Sequence, residues 1–383
     1  MPPRAIVLVI DSGGVGAAPD AATFHDDMRV NTLGNTAAAA GGIRLPTLAR
    51  LGLGNVTAVR GVAPVESPLA SYGRLREISA GKDTITGHWE MMNIIIRHAF
   101  PTYPNGFPTD VVERFEAIAG RRVLGNRTAS GTQIIEELGE EHMRTARPIL
   151  YTSADSVFQV AAHEDVVPLD TLWRWCEQAR QMLVPPNRVN RVIARPFRGE
   201  LGHFVRTAGR RDYAVAPPSP SILDALQAGG VPTSGIGKIS DIYCCQGIAA
   251  GSRTGDNAEG LARTVEWLDA GQGGFCFTNL NDFDSKYGHR RDPDGYAKAL
   301  IALDRRLPEI LDRLKDGDRL IITADHGCDP TAPGTDHTRE FAPLLDYVPG
   351  QPGRALGEQD CFAQVGIRVM ETFGLRAPEP LSV

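Results

Sequence analysis

The chain has 383 residues, a charged content of 22% and a formal net charge of −6 at pH 7. This length predicts one large α/β domain with an insertion, or two domains. The negative charge argues against nucleic acid as a main partner, because the chain lacks a general basic field.

Sequence features of membrane and secreted proteins are missing. No apolar run approaches the roughly 20 residues that a membrane-spanning helix needs. The N-terminus lacks the charged region, apolar stretch and cleavage site of a signal peptide. The six cysteines form no Cys-x-x-Cys pair, so we expect reduced thiols and no structural zinc site. We therefore predict a cytoplasmic protein without membrane contacts.

The first predicted element is a buried strand. Ala5–Ile10 is a continuous apolar run, as expected for a central parallel strand covered on both faces. It ends at the polar turn Asp11–Gly14. Short helices are predicted over Thr36–Ala40 and Leu45–Leu51, and Gly81–Met92 is predicted to begin as a loop and enter a helix.

Residues 97–217 differ in character from the rest of the chain. The proline-rich segments Phe100–Pro108 and Ala216–Pro220 bound this region, and neither can continue a helix. Three strands are predicted between them, at Ile149–Thr152, Val157–Ala161 and Val189–Ala194. Two helices are also predicted, at Asp110–Gly120 and Leu169–Leu183. We interpret residues 97–217 as an inserted α+β cap domain, and residues 1–96 and 218–383 as the metal-binding catalytic core domain.

From Ser221 onward, helices and strands alternate. The predicted helices are Ile222–Ala228, Glu259–Ala270, Tyr296–Leu314 and a final Gln364–Phe373. The first three precede the predicted strands Ser234–Ile236, Gly274–Asn279 and Arg319–Ala324. Alternating helices and buried strands predict an α/β core with a doubly wound, mostly parallel sheet.

Aspartate and histidine recur together at three separated places, each at or just after a predicted strand end. The candidate metal ligands are Asp11, Asp284, His289, Asp325, His326 and His337. Open parallel sheets bind ligands at the carboxyl ends of their strands, and mixed oxygen and nitrogen donors suit divalent ions. One such residue alone is more often a turn, a helix cap or a satisfied histidine. Their recurrence favours a metal centre with room for two ions.

A second motif runs from Gly81 to Glu90 and contains Thr84. A hydroxyl residue in a glycine-bounded loop at a helix start suits a nucleophile that takes up a phosphoryl group. A metal ion can lower the pKa of the hydroxyl, and the helix N-terminus favours phosphoryl oxygens. The alternative is a simple N-cap, where threonine is also preferred. The Gly-x-x-x-x-Gly-Lys pattern of a nucleotide-binding P-loop is missing.

A third group is basic. Its members are Arg191, Arg195, Arg198, Arg206, Arg210, Arg211 and Lys238. Arginine forks bind phosphate oxygens in bidentate fashion, so these residues are candidates for holding a phosphorylated substrate. A solvated basic face explains any one of them equally well.

Taken together, these motifs resemble those of phosphopentomutases in the alkaline phosphatase superfamily, over essentially the whole chain. The resemblance rests on the segments Val9–Ser12, Gly81–Met92, Phe100–Pro108, Tyr151–Ser156, Arg191–Phe197, Gly237–Ile242, Asn279–Arg291 and Thr323–Glu340. It implies an alkaline-phosphatase-like fold and an isomerase of pentose phosphate metabolism. Such an enzyme interconverts ribose 1-phosphate, or 2-deoxyribose 1-phosphate, and the 5-phosphate through a bisphosphate intermediate.

The resemblance also implies roles for individual residues. Thr84 would carry the phosphoryl group as a phosphothreonine. Two manganese ions would be held, one by Asp11, Thr84, Asp325 and His326, and the other by Asp284, His289 and His337. Substrate contacts would come from Ser153, Val157, Arg191, Arg206 and Lys238. A sugar bisphosphate such as glucose 1,6-bisphosphate would act as activator, and we expect a monomer.

The sequence departs from the expected family pattern at several positions. Gly13 stands where we expect phenylalanine, Asn93 where we expect glycine, and Cys328 where we expect asparagine. None is a predicted ligand or the nucleophile. The departures leave the predicted ligand set intact but bear on the reaction rate and the metal preference.

Other functions stay open at this point. A cofactor-independent phosphoglycerate mutase would use a serine in a Gly-Asn-Ser loop, where this chain has Gly81-Lys82-Asp83-Thr84. A sulfatase would need a Cys/Ser-x-Pro-x-Arg motif, which is missing. A phosphomonoesterase activity would follow from poor exclusion of water. An inactive metal-binding scaffold would require a lost ligand or nucleophile, and none is lost.

Overall fold

The computed structural model describes residues 2–153 and 156–382. The described chain divides into two compact units. The first unit comprises Met1–His98 and Pro217–Val383, and the second comprises Ala99–Ala216. No helix in the described ranges has the length and apolar character that crossing a membrane would require.

The secondary structure alternates throughout the chain. The strands are β1 (Arg4–Ile10), β2 (Ser71–Leu75), β3 (Ile94–Ile95), β4 (Leu124–Thr128), β5 (Ile149–Thr152), β6 (Val157–His163), β7 (Arg191–Arg198), β8 (Val205–Arg206), β9 (Arg211–Ala214), β10 (Thr233–Ile236), β11 (Ala250–Ser252), β12 (Gly274–Leu280), β13 (Arg319–Thr323), β14 (Ala342–Tyr347), β15 (Ala355–Gln359) and β16 (Leu381–Ser382).

Helices connect most of these strands. The α-helices are α1 (Thr32–Ala39), α2 (Pro46–Leu51), α3 (Leu53–Val56), α4 (Thr84–Met91), α5 (Thr109–Ala119), α6 (Gly131–Thr145), α7 (Leu169–Met182), α8 (Ile222–Ala228), α9 (Ile239–Ile242), α10 (Asn257–Asp269), α11 (Pro293–Leu311) and α12 (Gln364–Thr372). A 3₁₀ turn covers Ala21–Phe24, and a π-helical turn covers Phe283–Gly288.

The first unit contains an eight-stranded sheet within its described residues, in the order β11-β10-β12-β1-β13-β14-β2-β15. Strands β11, β10, β12, β1 and β13 are mutually parallel, and β14 and β2 pair antiparallel at the other side. Strand β1 is buried along its whole length, as its continuous apolar sequence predicts. The predicted α/β fold class with a doubly wound, mostly parallel sheet is confirmed.

Amphipathic helices cover the central strands of this sheet. A large core cluster joins side chains of β1, β12 and β13 to those of α1, α2 and α11, including Leu8, Leu48 and Leu300. Helix α11 begins at Pro293, one residue after the N-cap Asp292, whose side chain accepts a hydrogen bond from the Gly295 N–H. A rigid covered sheet of this kind fixes the places where its strands end.

The second unit is built around a mixed sheet. Within its described residues the strand order is β4-β5-β6-β7-β8, and β9 pairs with the other part of β7. One core cluster packs α5 and α7 on this sheet, and a second cluster includes residues of α6.

The two helices predicted in this region are present as α5 and α7, but the prediction missed a third, α6 (Gly131–Thr145). Its buried side chains include Ile134, Ile135 and His142, which form a narrow stripe on an otherwise polar helix. Two of its residues are glycine, which has a low helix propensity. The helix is therefore stabilised by packing on the sheet more than by its own sequence.

Candidate metal centre

Two neighbouring parallel strands place carboxylates side by side at one edge of the first unit's sheet. Strands β1 and β13 pair in parallel with Val9 opposite Thr323. Asp11 and Asp325 each lie two residues beyond that pair, so they leave the sheet at the same level. The backbone N–H of Ser12 donates to Oδ1 of Asp325 at 3.0 Å, which ties the two turns together.

The π-helical turn after β12 brings two further groups to this edge. In this turn the His289 N–H donates to the Asp284 carbonyl at 3.1 Å, a bond between residues five apart. This wide turn places both side chains on one face, with His289 Nε2 3.3 Å from Asp284 Oδ2. Nδ1 of His289 lies 2.6 Å from the Thr335 carbonyl, to which it can donate. When Nδ1 carries the proton of that bond, the lone pair of Nε2 is available to bind a metal ion.

His337 reaches the cluster through a short antiparallel bridge. Gly327 and Thr338 exchange backbone hydrogen bonds of 3.0 and 2.8 Å. This bridge stacks His337 against His326, with ring centroids 3.9 Å apart. Nε2 of His337 lies 3.4 Å from Asp284 Oδ1.

All six predicted ligand residues therefore meet in one cluster. Ligand atoms lie within 4.8 Å of one another in three sets: Asp11 with Asp325 and His326; Asp284 with His326 and His337; and Asp284 with His289 and Cys328. Asp284 and His326 thus each belong to two sets.

The donor set fits bound cations. Asp11 Oδ1, Asp284 Oδ1 and Asp325 Oδ2 are buried and accept no hydrogen bond from the described residues. Nε2 of His337 and Nε2 of His289 lie only 3.1 Å apart. Orphaned buried carboxylate oxygens facing imidazole nitrogens are costly unless a cation completes them. These oxygen and nitrogen donors are those that divalent manganese or zinc accepts.

The pKa values of the residues in the cluster also favour bound cations. Burial and the neighbouring Asp325 carboxylate raise the pKa of Asp11. Burial alone would raise the pKa of Asp325, but the imidazoles of His326 and His88 hold it at about 2. Although burial opposes it, Asp325 and Asp11 raise the pKa of His326 well above its ordinary value. The centre therefore has a negative field that attracts positive charge.

Thr84 begins helix α4 beside this cluster. The preceding Asp83 is the N-cap, and its side chain accepts from the N–H groups of Ile85 and Thr86. Thr84 Oγ1 lies 3.1 Å from Nε2 of His326. The alternative of Thr84 as a simple N-cap is therefore wrong, because Asp83 caps the helix and the threonine hydroxyl faces the candidate metal centre.

Sequence reasoning gave no separate role to His88 and Asn279, which line the same centre. Nδ1 of His88 lies 2.8 Å from the Thr84 carbonyl and 3.2 Å from Asp325 Oδ2. The Asn279 amide donates to Asp11 Oδ2 at 3.0 Å. The four-residue spacing of Thr84 and His88 on one helix face was an available signal.

The loop before Thr84 is anchored by a buried arginine. Arg339 is 1% exposed and donates to the carbonyl oxygens of Gly81 and Glu77. Its guanidinium also pairs with the Glu77 carboxylate at 2.7 Å and with Asp20 at 2.9 Å. This network crosses 262 residues of sequence from Glu77 to Arg339, which is why the sequence gave no sign of it.

The predicted substrate residues lie in different units. Lys238 belongs to the first unit, and its Nζ is 3.8 Å from Asp11 Oδ2. The other four line a cavity of about 350 Å³ in the second unit: Ser153, Val157, Arg191 and Arg206. Ala154 and Asp155 of the predicted Tyr151–Ser156 motif lie outside the described residues.

The arginines of the second unit divide into two groups. Arg195 and Arg210 line the same cavity as Arg191 and Arg206. Arg198 instead pairs with Glu164 at 2.7 Å, and Arg211 stacks over Trp173 at 3.5 Å from the ring centroid. Four arginines therefore converge on one cavity, where Arg210 also pairs with Asp212 at 2.6 Å, and the other two lie outside this lining.

Comparison with known proteins agrees with this geometry. A model of the Metalloenzyme superfamily matches residues 3–377. The protein named phosphopentomutase in Anaeromyxobacter sp. (strain K) is 56% identical over 375 residues, covering 98% of this chain and 96% of that one. The phosphopentomutase of Caldanaerobacter subterraneus subsp. tengcongensis is 54% identical, covering 97% and 94%.

One solved structure has low sequence identity to this chain and supports its fold but not its activity. The PH0037 protein from Pyrococcus horikoshii superposes with a TM-score of 0.51 at 14% identity, covering 98% of each chain. The fold and the cluster of carboxylates and imidazoles define a metalloenzyme. More narrowly, this chain belongs to the phosphopentomutase family and is an isomerase of the phosphotransferase mutase type. The resemblance drawn from the sequence is confirmed.

Proposed function

We propose that this enzyme interconverts ribose 1-phosphate, or 2-deoxyribose 1-phosphate, and the corresponding 5-phosphate through a phosphothreonine at Thr84. The observation that carries the proposal is the position of the Thr84 hydroxyl, 3.1 Å from Nε2 of His326 at the start of helix α4. A phosphoryl group on Oγ1 would lie among the donors of the metal cluster and near the positive end of the helix.

The cluster supports a proposal for the ligands of two divalent ions. We propose manganese at both positions, with Asp11, Thr84, Asp325 and His326 holding one ion, and Asp284, His289 and His337 the other. When bound, such ions neutralise phosphoryl charge and lower the pKa of an attacking hydroxyl. Asn279 donates to Asp11 and His88 contacts Asp325, so these two side chains orient the carboxylates.

The proposed phosphoryl transfer takes place in two steps. The free hydroxyl of a pentose monophosphate attacks the phosphorus on Thr84; a new P–O bond forms, the P–Oγ1 bond breaks, and the threonine oxygen regains a proton. The product is a pentose bisphosphate. Return of its other phosphoryl group to Thr84 leaves the isomeric monophosphate and restores the phosphothreonine. A sugar bisphosphate such as glucose 1,6-bisphosphate would load Thr84 at the start.

Positive charge for the phosphate that is not being transferred comes from basic side chains. We propose Arg191, Arg206 and Lys238 for this role, and Ser153 and Val157 for contacts to the pentose. The support is that Arg191 and Arg206 converge on the 350 Å³ cavity of the second unit with two further arginines. We further propose that this unit acts as the cap domain that excludes water during transfer, so that sugar competes successfully with hydrolysis. The monomeric state and the cytoplasmic location stay predictions.

A coupled assay tests the proposal. Purified protein receives ribose 1-phosphate, manganese and a trace of glucose 1,6-bisphosphate, and formation of ribose 5-phosphate is followed beside Thr84→Ala. We expect turnover by the unmodified protein and none by the variant. Release of free phosphate without ribose 5-phosphate would show a phosphatase, and equal turnover by Thr84→Ala would refute the phosphothreonine.

A further inference from the structure

One buried thiol lies in the metal centre without a role in the proposed reaction. Cys328 is 1% exposed and follows His326 and Gly327 after strand β13. Its Sγ lies within 4.8 Å of a carboxylate oxygen of Asp284 and a ring nitrogen of His289. It is also the residue that stands where we expected an asparagine.

The surrounding backbone holds the thiol in place. The Cys328 N–H donates to Oγ1 of Thr32 at 3.1 Å, which ties this turn to helix α1. On the opposite side, a Cβ at Gly288 would come within 2.9 Å of Sγ. Glycine therefore lets the π-helical turn that carries Asp284 and His289 approach the thiol closely.

An independent observation indicates that a ligand belongs here. Asp284 is 4% exposed. Its Oδ2 lies 3.3 Å from His289 Nε2, and its Oδ1, which faces His337, accepts no hydrogen bond from the described residues. The Cys328 thiol makes a long contact of 3.7 Å to the Asp336 carbonyl and also faces the His289 ring. A carboxylate, an imidazole and a thiol that converge in this way form a three-donor set of oxygen, nitrogen and sulfur.

We propose that Asp284, His289 and Cys328 form a thiolate-containing site that binds a thiophilic divalent ion of the zinc class. Manganese favours oxygen donors, whereas zinc accepts thiolate, imidazole and carboxylate together. Binding replaces the thiol proton: the S–H bond breaks, a bond from sulfur to the metal forms, and one proton is released. This inference rests on the proposed function, because Asp284 and His289 are also proposed manganese ligands.

The shared carboxylate has a consequence for metal selection. Asp284 also meets His326 and His337 in the second ligand set of the centre. A zinc ion held through Cys328 therefore competes with manganese for both Asp284 and His289. Replacing the thiol should weaken zinc binding more than manganese binding, because only zinc gains from the sulfur.

Cobalt(II) gives a direct test, since a cobalt–thiolate bond produces a near-ultraviolet charge-transfer band. The experiment uses metal-free full-length protein carrying Cys244→Ser and Cys245→Ser, which removes the exposed cysteine pair. Cobalt is titrated into this parent, into parent with Cys328→Ser, and into parent with Cys276→Ser. Cys276 is the matched control, because it is a fully buried thiol in β12.

We expect the band in the parent and in the Cys276→Ser protein, and its loss in the Cys328→Ser protein. Competition with a chelator should show zinc affinity reduced about tenfold or more by Cys328→Ser, with manganese affinity changed less than about threefold. Urea unfolding of the metal-free proteins checks folding, and Cys328→Ala replaces the serine variant if that one does not fold.

Two results would overturn the inference while leaving the proposed function intact. One is a parent that binds cobalt and manganese without a charge-transfer band. The other is a band that survives Cys328→Ser. Failure of the parent to bind any of the three ions would instead overturn the proposed metal centre together with this site.

Discussion

Replacement of Arg339 by methionine should destabilise the first unit and displace the loop that carries Thr84. The side chain is 1% exposed, so methionine can occupy much of its space but none of its hydrogen bonds. The guanidinium donates to the carbonyl oxygens of Gly81 and Glu77 and pairs with the Glu77 carboxylate at 2.7 Å. Arg339→Met leaves all three acceptors buried without their donor.

The magnitude follows from this geometry. Removing one partner of a buried ion pair costs about 3–5 kcal/mol, because the remaining charge has no compensation. Glu77 can limit this cost by taking up a proton, since burial already raises its pKa well above the ordinary value. Protonation is easier at low pH, so the destabilisation should be smaller at about pH 6 than at about pH 8.

Urea unfolding of the metal-loaded protein measures this effect. Arg339→Met should lower the free energy of unfolding by about 3–5 kcal/mol near neutral pH. The double variant Arg339→Met/Glu77→Gln should recover at least about 1 kcal/mol of that loss, because neither charge then stays buried alone. A single-variant loss below about 1 kcal/mol, or no recovery in the double variant, would refute the reasoning.

Three further predictions follow from the site. Arg206→Gln should raise KM for pentose phosphate about 10- to 100-fold in steady-state kinetics, the effect of losing a charge-assisted hydrogen bond of about 1.5–3 kcal/mol. Arg198→Gln, which loses the ion pair with Glu164, should change KM less than about threefold, and equal effects would contradict the assignment. Burial raises the pKa of Glu340 to about 6 from 4.5, so the stability this group contributes at low pH is lost as the pH rises through that window. Glu340→Gln should therefore gain about 2 kcal/mol relative to the unmodified protein across that window in urea unfolding, and parallel pH profiles would contradict this. Manganese at about 100 times its Kd should raise the unfolding free energy over the chelated protein by about 2.7 kcal/mol for each ion bound, whereas no change would contradict a metal centre.

Much of the core could be predicted because its signals are local. The apolar run of β1 predicts a strand buried on both faces, and the polar residues at strand ends predict where side chains leave the sheet. Asp11 and Asp325 then become neighbours as soon as β1 and β13 are paired. The predicted bounds of Ile149–Thr152 and Ile222–Ala228 agree with β5 and α8.

Features that depend on long-range packing could not be predicted. Helix α6 has a narrow apolar stripe and two glycines, so its stability comes from a sheet that the sequence alone does not display. The antiparallel strands β14 and β2 were also missed, because their partners are far apart in the chain. The same reason hides the anchor between Arg339 and Glu77 and the approach of Cys328 to Asp284.

The central claim is that Thr84 carries the phosphoryl group. The most direct measurement is to load manganese-containing protein with glucose 1,6-bisphosphate, quench it in acid and locate phosphate by mass spectrometry of its peptides, beside Thr84→Ala. We predict one phosphoryl group on Thr84, missing from the variant. When ribose 5-phosphate is added, an isotope label on that phosphoryl group should pass to the pentose phosphate while Thr84 stays phosphorylated. Phosphate on Thr86 or another residue, or turnover by a protein that never acquires phosphate, would contradict the account.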